Sequence, residues 1–385
     1  MTPDLDTVID RQSEYDCDKW SHYGENVIPL WVADMDFRSP EPVIRALHQR
    51  VDHGVFGYQM DCPDLRGVLV ERLRNRHSLE VAADQIVFLP GLVFGVNTVA
   101  RAVGLPGSGI LMQTPAYPPF LSAPANNDRL LQTAPLASSV TNGILRYEID
   151  FDALEAAVTP ETRLFIFCNP HNPVGRVYTR AELEGIAEFC LRHDLILCSD
   201  EIHCDLLYEG SQHISIASLS PEIAARTVTL LAPSKTFNLP GFGLGFAVIH
   251  NPELRELVRT TARKTGASVT ALAYTAAEVA YREGQPWLDD VLVYLRDNRD
   301  LVIDFVREHL PDVPITQPEG TYLAWMDWRG RDLQPNPFQF FLDHARVAFS
   351  DGATFSQPGF LRINYATTRG TLMDALLRVK EALAP

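Results

Sequence analysis

Short apolar segments alternate with amphipathic ones between about residues 85 and 250. The apolar segments are bounded by turn residues, which is typical of buried strands; they are QIVFLP, GILMQTP, RLFIFCNP, LILCSD, RTVTLLAP and GFAVI. Helices are predicted between them, including VFGVNTVARAV and AELEGIAEFCLRH, and Thr179 with Glu182 has the spacing of a capping box. Near-continuous apolar strands that alternate with helices predict an α/β fold with a mostly parallel sheet, covered on both faces.

The two ends of the chain have a different pattern. After about residue 285 come a long helix (PWLDDVLVYLRDNRDLVIDFVREHL), a strand (TYLAWMDW), a further helix and the strand LRINYA. This order indicates α+β packing, and with the N-terminal segment it predicts a second, smaller domain. We expect a large domain over residues 46–284 and a small domain made of residues 1–45 together with 285–385.

The composition of the chain limits the classes of partner that it can bind. The chain has 385 residues and a formal net charge of −16, which argues against binding to nucleic acid or to an anionic membrane surface. The N-terminus has no apolar core of a signal peptide, and no apolar run is long enough to cross a bilayer. The six cysteines form no C-x-x-C pair, and four lie in apolar segments. We therefore expect these cysteines to be small buried side chains rather than disulfide partners or metal ligands. This cysteine usage fits the reducing cytoplasm best.

The segment APSKTFNLPGFGLG contains one lysine, Lys235, followed by three alternate glycines. A P-loop is excluded because its glycines precede the lysine, and a dinucleotide loop is excluded because these glycines lead into a strand. Lys235 follows the strand TVTLLAP, and in open α/β sheets ligands bind at that carboxyl edge. A desolvated lysine there can form a Schiff base with a carbonyl compound. Taken alone, an ordinary surface lysine is the simpler interpretation.

Three other predicted strand ends carry polar or glycine residues. Asp200 ends LILCSD, Asn172 follows the strand ending FIFCNP, and Gly91 lies between QIVFLP and a helix. A lysine, a carboxylate, an amide and a helix N-terminus are the groups that pyridoxal 5'-phosphate (PLP) requires. They hold its aldehyde as an imine, protonate its pyridine nitrogen, donate to its phenolic oxygen and bind its phosphate. The four strand ends therefore predict a PLP site.

Three longer motifs, NPHNPVGRVYT, SDEIHCDL and APSKTFNLPG, resemble those of fold-type-I PLP enzymes. More narrowly, WVADMDF, VFGY, TPAYPPF and SDEIH together resemble the MalY/PatB family of cystathionine β-lyase-like enzymes. The resemblance runs from about Trp31 to Arg362. It implies the PLP-dependent transferase fold of type I, in which a large domain with a mostly parallel seven-stranded sheet flanked by helices accompanies a smaller α+β domain.

The resemblance also implies roles around the ring of the cofactor. Lys235 would form the Schiff base and afterwards remove the α-proton, and Asp200 would pair with the pyridinium. Asn172 would face the phenolic oxygen and the substrate, although it is also a turn residue. Tyr117 would stack on the ring, with plain packing as the alternative. His203 would tune the ring, with a structural histidine as the alternative.

At the phosphate, the resemblance implies backbone N–H groups of Gly91, Leu92 and Val93 and the hydroxyl of Ser234; a simple turn and a helix cap are the alternatives. Tyr58 would reach the phosphate of a neighbouring subunit, which implies a homodimer with shared active sites, whereas core packing is the other interpretation.

On the substrate side, the resemblance implies that Arg362 binds the α-carboxylate as a bidentate fork, with a surface salt bridge as the alternative. Asn364 would point the same way, and Ala33 would line the substrate through its backbone. One position departs from the broad pattern of the fold type. Many such enzymes carry an arginine eight residues after the lysine, where this chain has Gly243, so the phosphate charge must be met by other groups.

The resemblance favours a carbon–sulfur β-lyase that converts L-cystathionine or related cysteine S-conjugates to a thiol, pyruvate and ammonia. Two alternatives stay open. The first is a PLP-dependent aminotransferase of the same fold. The second is a PLP-binding protein that acts mainly through a regulatory protein partner.

Overall fold

The computed structural model describes residues 4–13, 17–57, 59 and 62–384. The helices of the described residues are α1 (Asp18–Ser21), α2 (Glu41–Asp52), α3 (Pro63–His77), α4 (Leu92–Ala102), α5 (Pro118–Asn126), α6 (Phe151–Ala157), α7 (Arg180–Arg192), α8 (Pro221–Ala224), α9 (Pro233–Thr236), α10 (Pro252–Arg263), α11 (Ala271–Glu283), α12 (Gln285–His309), α13 (Pro337–His344) and α14 (Arg369–Ala382). The strands are β1 (Ile28–Pro29), β2 (Ile86–Leu89), β3 (Gly109–Thr114), β4 (Leu130–Pro135), β5 (Ala137–Thr141), β6 (Ile144–Glu148), β7 (Thr162–Cys168), β8 (Ile196–Asp200), β9 (Thr227–Leu231), β10 (Gly245–Val248), β11 (Ile315–Thr316), β12 (Leu323–Asp327), β13 (Val347–Ala348), β14 (Ser350–Asp351) and β15 (Phe360–Asn364).

A seven-stranded sheet forms the centre of the fold, in the order β2-β10-β9-β8-β7-β3-β4. Strands β9, β8, β7, β3 and β4 are parallel to one another, as the apolar segments predict. Strand β10 is antiparallel to both β2 and β9. It follows β9 through a compact segment that contains Lys235 instead of a long crossover helix, and the chain therefore returns in the opposite direction.

Both faces of the sheet are buried except at its edge strand β4, which explains why the other strands are mostly apolar rather than alternating. In β7, Leu164 and Ile166 pack in one core cluster with α4 and α10, while Phe165 and Phe167 pack in another with α7. Helix α7 begins with the predicted capping box. The Thr179 side chain accepts from the Glu182 N–H, and the Glu182 carboxylate accepts from the Thr179 N–H at 2.7 Å.

A second sheet of six strands has the order β14-β15-β12-β11-β6-β5. Its strands β5 and β6 come from residues 137–148, and β6 pairs in parallel with β11 from the C-terminal part of the chain. The predicted C-terminal strands are present as β12 and β15, which pair antiparallel around the buried Trp325. The boundaries 46–284 and 285–385 stay a prediction, and the hairpin β5–β6 connects the two regions by sheet pairing.

The six cysteines are free, and Cys168, Cys190, Cys198 and Cys204 are buried, as the sequence predicts for small core side chains. Within the described part of the chain, no helix combines the length and the apolar character that a membrane crossing needs.

Gly175, in the loop between β7 and α7, packs against Pro318 in the loop between β11 and β12, and we expect it to tolerate substitution poorly. Its φ is +74°, and a Cβ there would lie 2.7 Å from Cβ of Pro318. Gly143 has a similar φ of +77° but no heavy atom within 4 Å of that position. Both Gly→Ala changes cost about 1–2 kcal/mol in backbone conformation, and Gly175→Ala adds roughly 1–3 kcal/mol of overpacking. Urea unfolding of both variants checks the difference, and equal losses of stability would contradict the contact.

Candidate active site

A cavity of about 310 Å³ lies at the carboxyl ends of β7, β8 and β9. Parallel strands end at the same edge of a sheet, so the segments that follow them converge there. Ten of the residues predicted for the site line this cavity: Ala33, Gly91, Leu92, Val93, Tyr117, Asn172, Asp200, His203, Ser234 and Lys235. Arg362 reaches the same place by a hydrogen bond to Asn172. Tyr58 lies outside the described residues.

Lys235 lies in the short helix α9 just after β9. Its Nζ donates to the carbonyl oxygen of Ala33 at 2.5 Å. Burial, together with the positive charge of Arg362, lowers the pKa of Lys235 to about 8, although Asp34 and Asp200 oppose the shift. The amine is therefore neutral, and able to attack a carbonyl carbon, at a pH where a solvated lysine is still protonated.

Asp200 is buried at the end of β8, where its Oδ1 accepts from the Ile202 N–H at 3.0 Å. Burial raises the pKa of Asp200 to about 7, although that hydrogen bond and the charge of Lys235 oppose the increase. A cationic nitrogen beside this carboxyl would favour its ionised form. The site therefore offers a place for a pyridinium.

His203 has an unsatisfied polar atom in the site. Burial lowers the pKa of His203 to about 3, with the nearby charges of Lys235 and Arg362 acting in the same direction, so the imidazole is neutral. Its Nδ1 has no hydrogen-bond partner in the described part of the chain. A buried ring nitrogen without a partner is costly, and a polar group bound in the cavity would satisfy it.

The N-terminus of α4 forms one wall of the cavity. Gly91 precedes it with a φ of +105°, a conformation that favours glycine, and its own N–H donates to the Leu89 carbonyl at 2.8 Å. The first N–H groups that the helix leaves without intrahelical partners are therefore those of Leu92 and Val93. Together with the Ser234 hydroxyl, these N–H groups can bind an anion. Gly243, the position where an arginine was considered, also lines the cavity, and its backbone is left-handed.

Arg362 is a buried cation with no carboxylate partner among the described residues; only 4% of the residue is exposed. Its Nη1 donates to Asn172 Oδ1 at 2.9 Å, and its Nη2 donates to the Trp31 carbonyl at 2.7 Å. Burial lowers the pKa of Arg362 to about 10. The surface salt bridge that the sequence left open is excluded, because the guanidinium is inside the protein and pairs with neutral oxygens.

Two further residues hold the segment that carries Ala33. Asn364 points, like Arg362 on the same strand, towards the backbone of residues 31–34. Its Nδ2 donates to the carbonyls of Val32 and Asp34 at 2.6 and 2.7 Å, so it holds the backbone that carries Ala33. Tyr322, which the sequence indicates only as part of a strand, donates its hydroxyl to the Ala33 carbonyl at 2.9 Å and packs against the His203 ring. Its position in an apolar run gave no signal of this contact.

Among the described residues, one further group of potential metal ligands consists of His77, Cys204 and Asp205, whose ligand atoms lie within 4.8 Å of one another. Asp205 is already paired with the buried Arg72 at 2.7 Å. The pairing lowers the pKa of Asp205. The charge of this carboxylate is therefore already neutralised by an arginine, and it does not require a metal ion.

Comparisons with known proteins assign the chain to a family. Residues 25–379 match the family model Aminotransferase class I and II, and the chain belongs to that family. It is 36% identical to cystathionine beta-lyase PatB of Bacillus subtilis (strain 168), over 95% of this chain and 96% of the relative. The predicted resemblance to the MalY/PatB enzymes is thereby confirmed.

Solved structures agree with the fold prediction. The crystal structure of OvoB superimposes with a TM-score of 0.93 at 42% identity and covers 98% of both chains. The PLP-bound C-S lyase from Staphylococcus hominis superimposes with a TM-score of 0.92 at 31% identity, covering 100% of this chain and 99% of that one. The chain therefore has the α/β fold of type I PLP-dependent enzymes.

Lys235 should react with electrophiles at lower pH than an ordinary lysine. We expect brief acylation of the cofactor-free chain to label Lys235 with a half-maximal rate near pH 8, because burial lowers its pKa. A solvated lysine would show a midpoint near pH 10.4. Mass spectrometry of the Lys235 peptide measures the rate, with the exposed Lys264 in the same digest as reference for the reagent. A rate that keeps rising beyond pH 10 would contradict the assignment.

Proposed function

We propose that this chain is a PLP-dependent carbon–sulfur β-lyase that cleaves L-cystathionine or related cysteine S-conjugates to a thiol, pyruvate and ammonia. The names of its relatives, cystathionine beta-lyase PatB and C-S lyase, support this reaction. The observation that carries it is the buried Arg362, a cation with no carboxylate partner in the described part of the chain, next to a cavity that holds Lys235 and Asp200. An α-amino acid supplies the missing carboxylate.

The residues present fit PLP. Lys235 would hold its aldehyde carbon, and Asp200 would hold its ring nitrogen. Asn172 uses its Oδ1 for Arg362, which leaves its Nδ2 group to donate to the phenolic oxygen. His203 brings an unpartnered Nδ1, and Tyr117 lines the same cavity for stacking. When bound, PLP supplies an electron sink that stabilises the carbanion left by loss of the α-proton.

The phosphate would be bound by the N-terminus of α4. The N–H groups of Leu92 and Val93 and the Ser234 hydroxyl can donate to it, and the positive end of the helix dipole favours its charge. Because Gly243 stands where related enzymes carry an arginine, backbone groups provide most of this binding in the described part of the site.

The chain's own groups then handle the substrate. Arg362 binds the α-carboxylate and fixes the amino acid so that its Cα–H bond faces Lys235. The Lys235 amine accepts the α-proton, and the Cβ–S bond breaks as the carbon–carbon double bond forms, so that the electron pair leaves on sulfur. The Ala33 carbonyl, which bonds Lys235 Nζ at 2.5 Å, keeps that amine in place when it is free. Hydrolysis of the remaining enamine gives pyruvate and ammonia.

We also infer that the enzyme is a homodimer of the cytoplasm whose active sites are shared. Val93 lines the cavity yet is 46% exposed, and Val51, Val55 and Phe56 leave apolar side chains exposed just before Tyr58 in sequence. Exposed apolar clusters of this kind are typical of surfaces that a partner covers. Six free cysteines are consistent with a reducing compartment.

The first test is release of pyruvate from L-cystathionine by the PLP-loaded protein with no keto acid added. We expect turnover by the wild type and a loss of at least about 1000-fold in Lys235→Ala, because proton transfer and cofactor attachment both depend on that amine. Lys264→Ala, a change at an exposed lysine, is the matched control. Activity that requires a keto-acid acceptor would favour the aminotransferase, and a bound cofactor without either activity would favour a regulatory binding protein.

Arg362→Gln tests the substrate anchor. The variant keeps hydrogen-bonding groups but loses the charge, so we expect kcat/KM for L-cystathionine to fall about 100-fold, mostly through KM, since charged hydrogen bonds contribute about 1.5–3 kcal/mol each. PLP absorbance should be retained. Arg192→Gln, at an exposed arginine, should leave both constants unchanged. An unaltered KM in Arg362→Gln would show that the carboxylate binds elsewhere.

A further inference from the structure

One short backbone segment, residues 31–36, contacts both functional cations of the site. The Trp31 carbonyl accepts from Arg362 Nη2 at 2.7 Å, and the Ala33 carbonyl accepts from Lys235 Nζ at 2.5 Å. Residues 31–36 belong to no helix or strand. Their position is therefore fixed by contacts with other parts of the molecule, which include a backbone hydrogen bond from the Asp36 N–H to the Ala366 carbonyl at 2.9 Å, the two hydrogen bonds of Asn364 described above and several charged side chains.

Four charged side chains, which we call the buried clamp, hold this segment: Arg11, Lys19, Asp34 and Asp36. Lys19 Nζ lies 2.9 Å from Asp36 Oδ2 and 3.2 Å from Asp34 Oδ1, and it also donates to the Asp34 backbone carbonyl at 3.2 Å. Arg11 bonds the same two carboxylates from the other side, at 2.6 and 2.7 Å. Two cations and two anions balance, so the clamp carries no net charge.

Lys19 is the member of the clamp that is buried most deeply. Only 1% of its side chain is exposed, compared with 22% for Arg11. Its backbone carbonyl also accepts from Trp31 Nε1 at 3.1 Å. Lys19 thus contacts the segment at both of its ends, beside the carbonyl that binds Arg362 and beside the carbonyl that binds Lys235. Exposed ion pairs contribute little to stability, but breaking a buried one leaves an uncompensated charge.

We propose that Lys19 is a positioning residue for the reaction: through Asp34 and Asp36 it fixes the segment that places the Lys235 amine and the Arg362 guanidinium relative to each other. This inference rests on the proposed lyase function for its kinetic effect. Lys19 does not line the cavity and touches no reacting atom. Nothing in the motif WVADMDF identifies the partner of its two aspartates, because the lysine lies outside the motif.

The charges around Lys235 make the role measurable apart from activity. Burial, Arg362 and Lys19 lower the pKa of Lys235, whereas Asp34 and Asp200 raise it. Removing the charge of Lys19 should therefore move the pH midpoint of Lys235 acylation upward, and removing the charge of Asp34 should move it downward. A change that merely destabilised the protein would give no such pair of opposite shifts.

The experiment compares Lys19→Met, Asp34→Asn and the matched control Lys264→Met as full-length proteins. Pyruvate release measures kcat and KM on the PLP-loaded forms, and acylation of the cofactor-free forms measures the Lys235 midpoint. We expect kcat to fall about 10- to 100-fold in Lys19→Met, since a displacement of 1 Å in a catalytic group has effects of that size. Asp34→Asn should lose less, because Lys19 keeps its contact with Asp36. Circular dichroism checks folding.

Opposite shifts of the midpoint, with reduced kcat and retained circular dichroism, would support the proposal. Wild-type kcat and an unshifted midpoint in folded Lys19→Met would overturn it. If Lys19→Met does not fold, Asp34→Asn decides: a downward shift with reduced kcat supports the proposal, and wild-type behaviour overturns it. If the wild type releases no pyruvate, the lyase function fails separately, and the acylation midpoints alone decide the role of Lys19.

Discussion

Two cations at one site, with no carboxylate bonded to either among the described residues, are the constraint around which this structure is built: Arg362 is buried and Lys235 is half-buried. Lys235 and Arg362 donate instead to the neutral oxygens of Ala33, Trp31 and Asn172. Removing a charge from water without a counter-charge is costly, and burial accordingly lowers the pKa of both groups. A protein keeps such an arrangement when a ligand brings the missing anion. The site therefore indicates an anionic ligand before any relative is considered.

The fold makes this arrangement possible in two ways. The parallel strands β7, β8 and β9 end at one edge, which brings polar residues together although the strands themselves are mostly apolar. The second sheet then places β15, with Arg362, across from that edge. Neither sheet forms the site alone, and the hydrogen bond from Arg362 to Asn172 joins them at the cavity.

The sequence predicts the half of the site that depends on local pattern. Asp200, Asn172 and Lys235 each follow an apolar run that can be recognised as a strand, and the carboxyl edge of the sheet is where such residues meet. Tyr322 and Lys19 could not be predicted in the same way. Tyr322 reaches Ala33 across 289 positions of sequence, and Lys19 is an ordinary charged residue until folding buries it.

For the fold as well, features that depend on neighbouring residues can be predicted from the sequence, whereas pairings between distant segments cannot. Strands, helices and the capping box of α7 follow from periodicity over a few residues. The pairing of β6 with β11 does not, because it joins residues 144–145 to residues 315–316 and no local pattern specifies which distant strand is the partner. The hydrogen bonds of Asn364 to the Val32 and Asp34 carbonyls were not predicted for a related reason, since they depend on where that segment passes.

The short segment from Trp31 to Ala33 limits the distance between the group that binds the substrate carboxylate and the group that removes the proton. Two residues of chain span at most about 7 Å, so covalent geometry limits the separation of the two carbonyls that bind Arg362 and Lys235. An α-amino acid has its carboxylate and its acidic Cα–H on neighbouring atoms, and an anchor and a base can serve both only if they lie that close. Holding this segment in place therefore sets the distance between Arg362 and Lys235. A looser segment would impair proton removal from a bound substrate although neither functional side chain is changed.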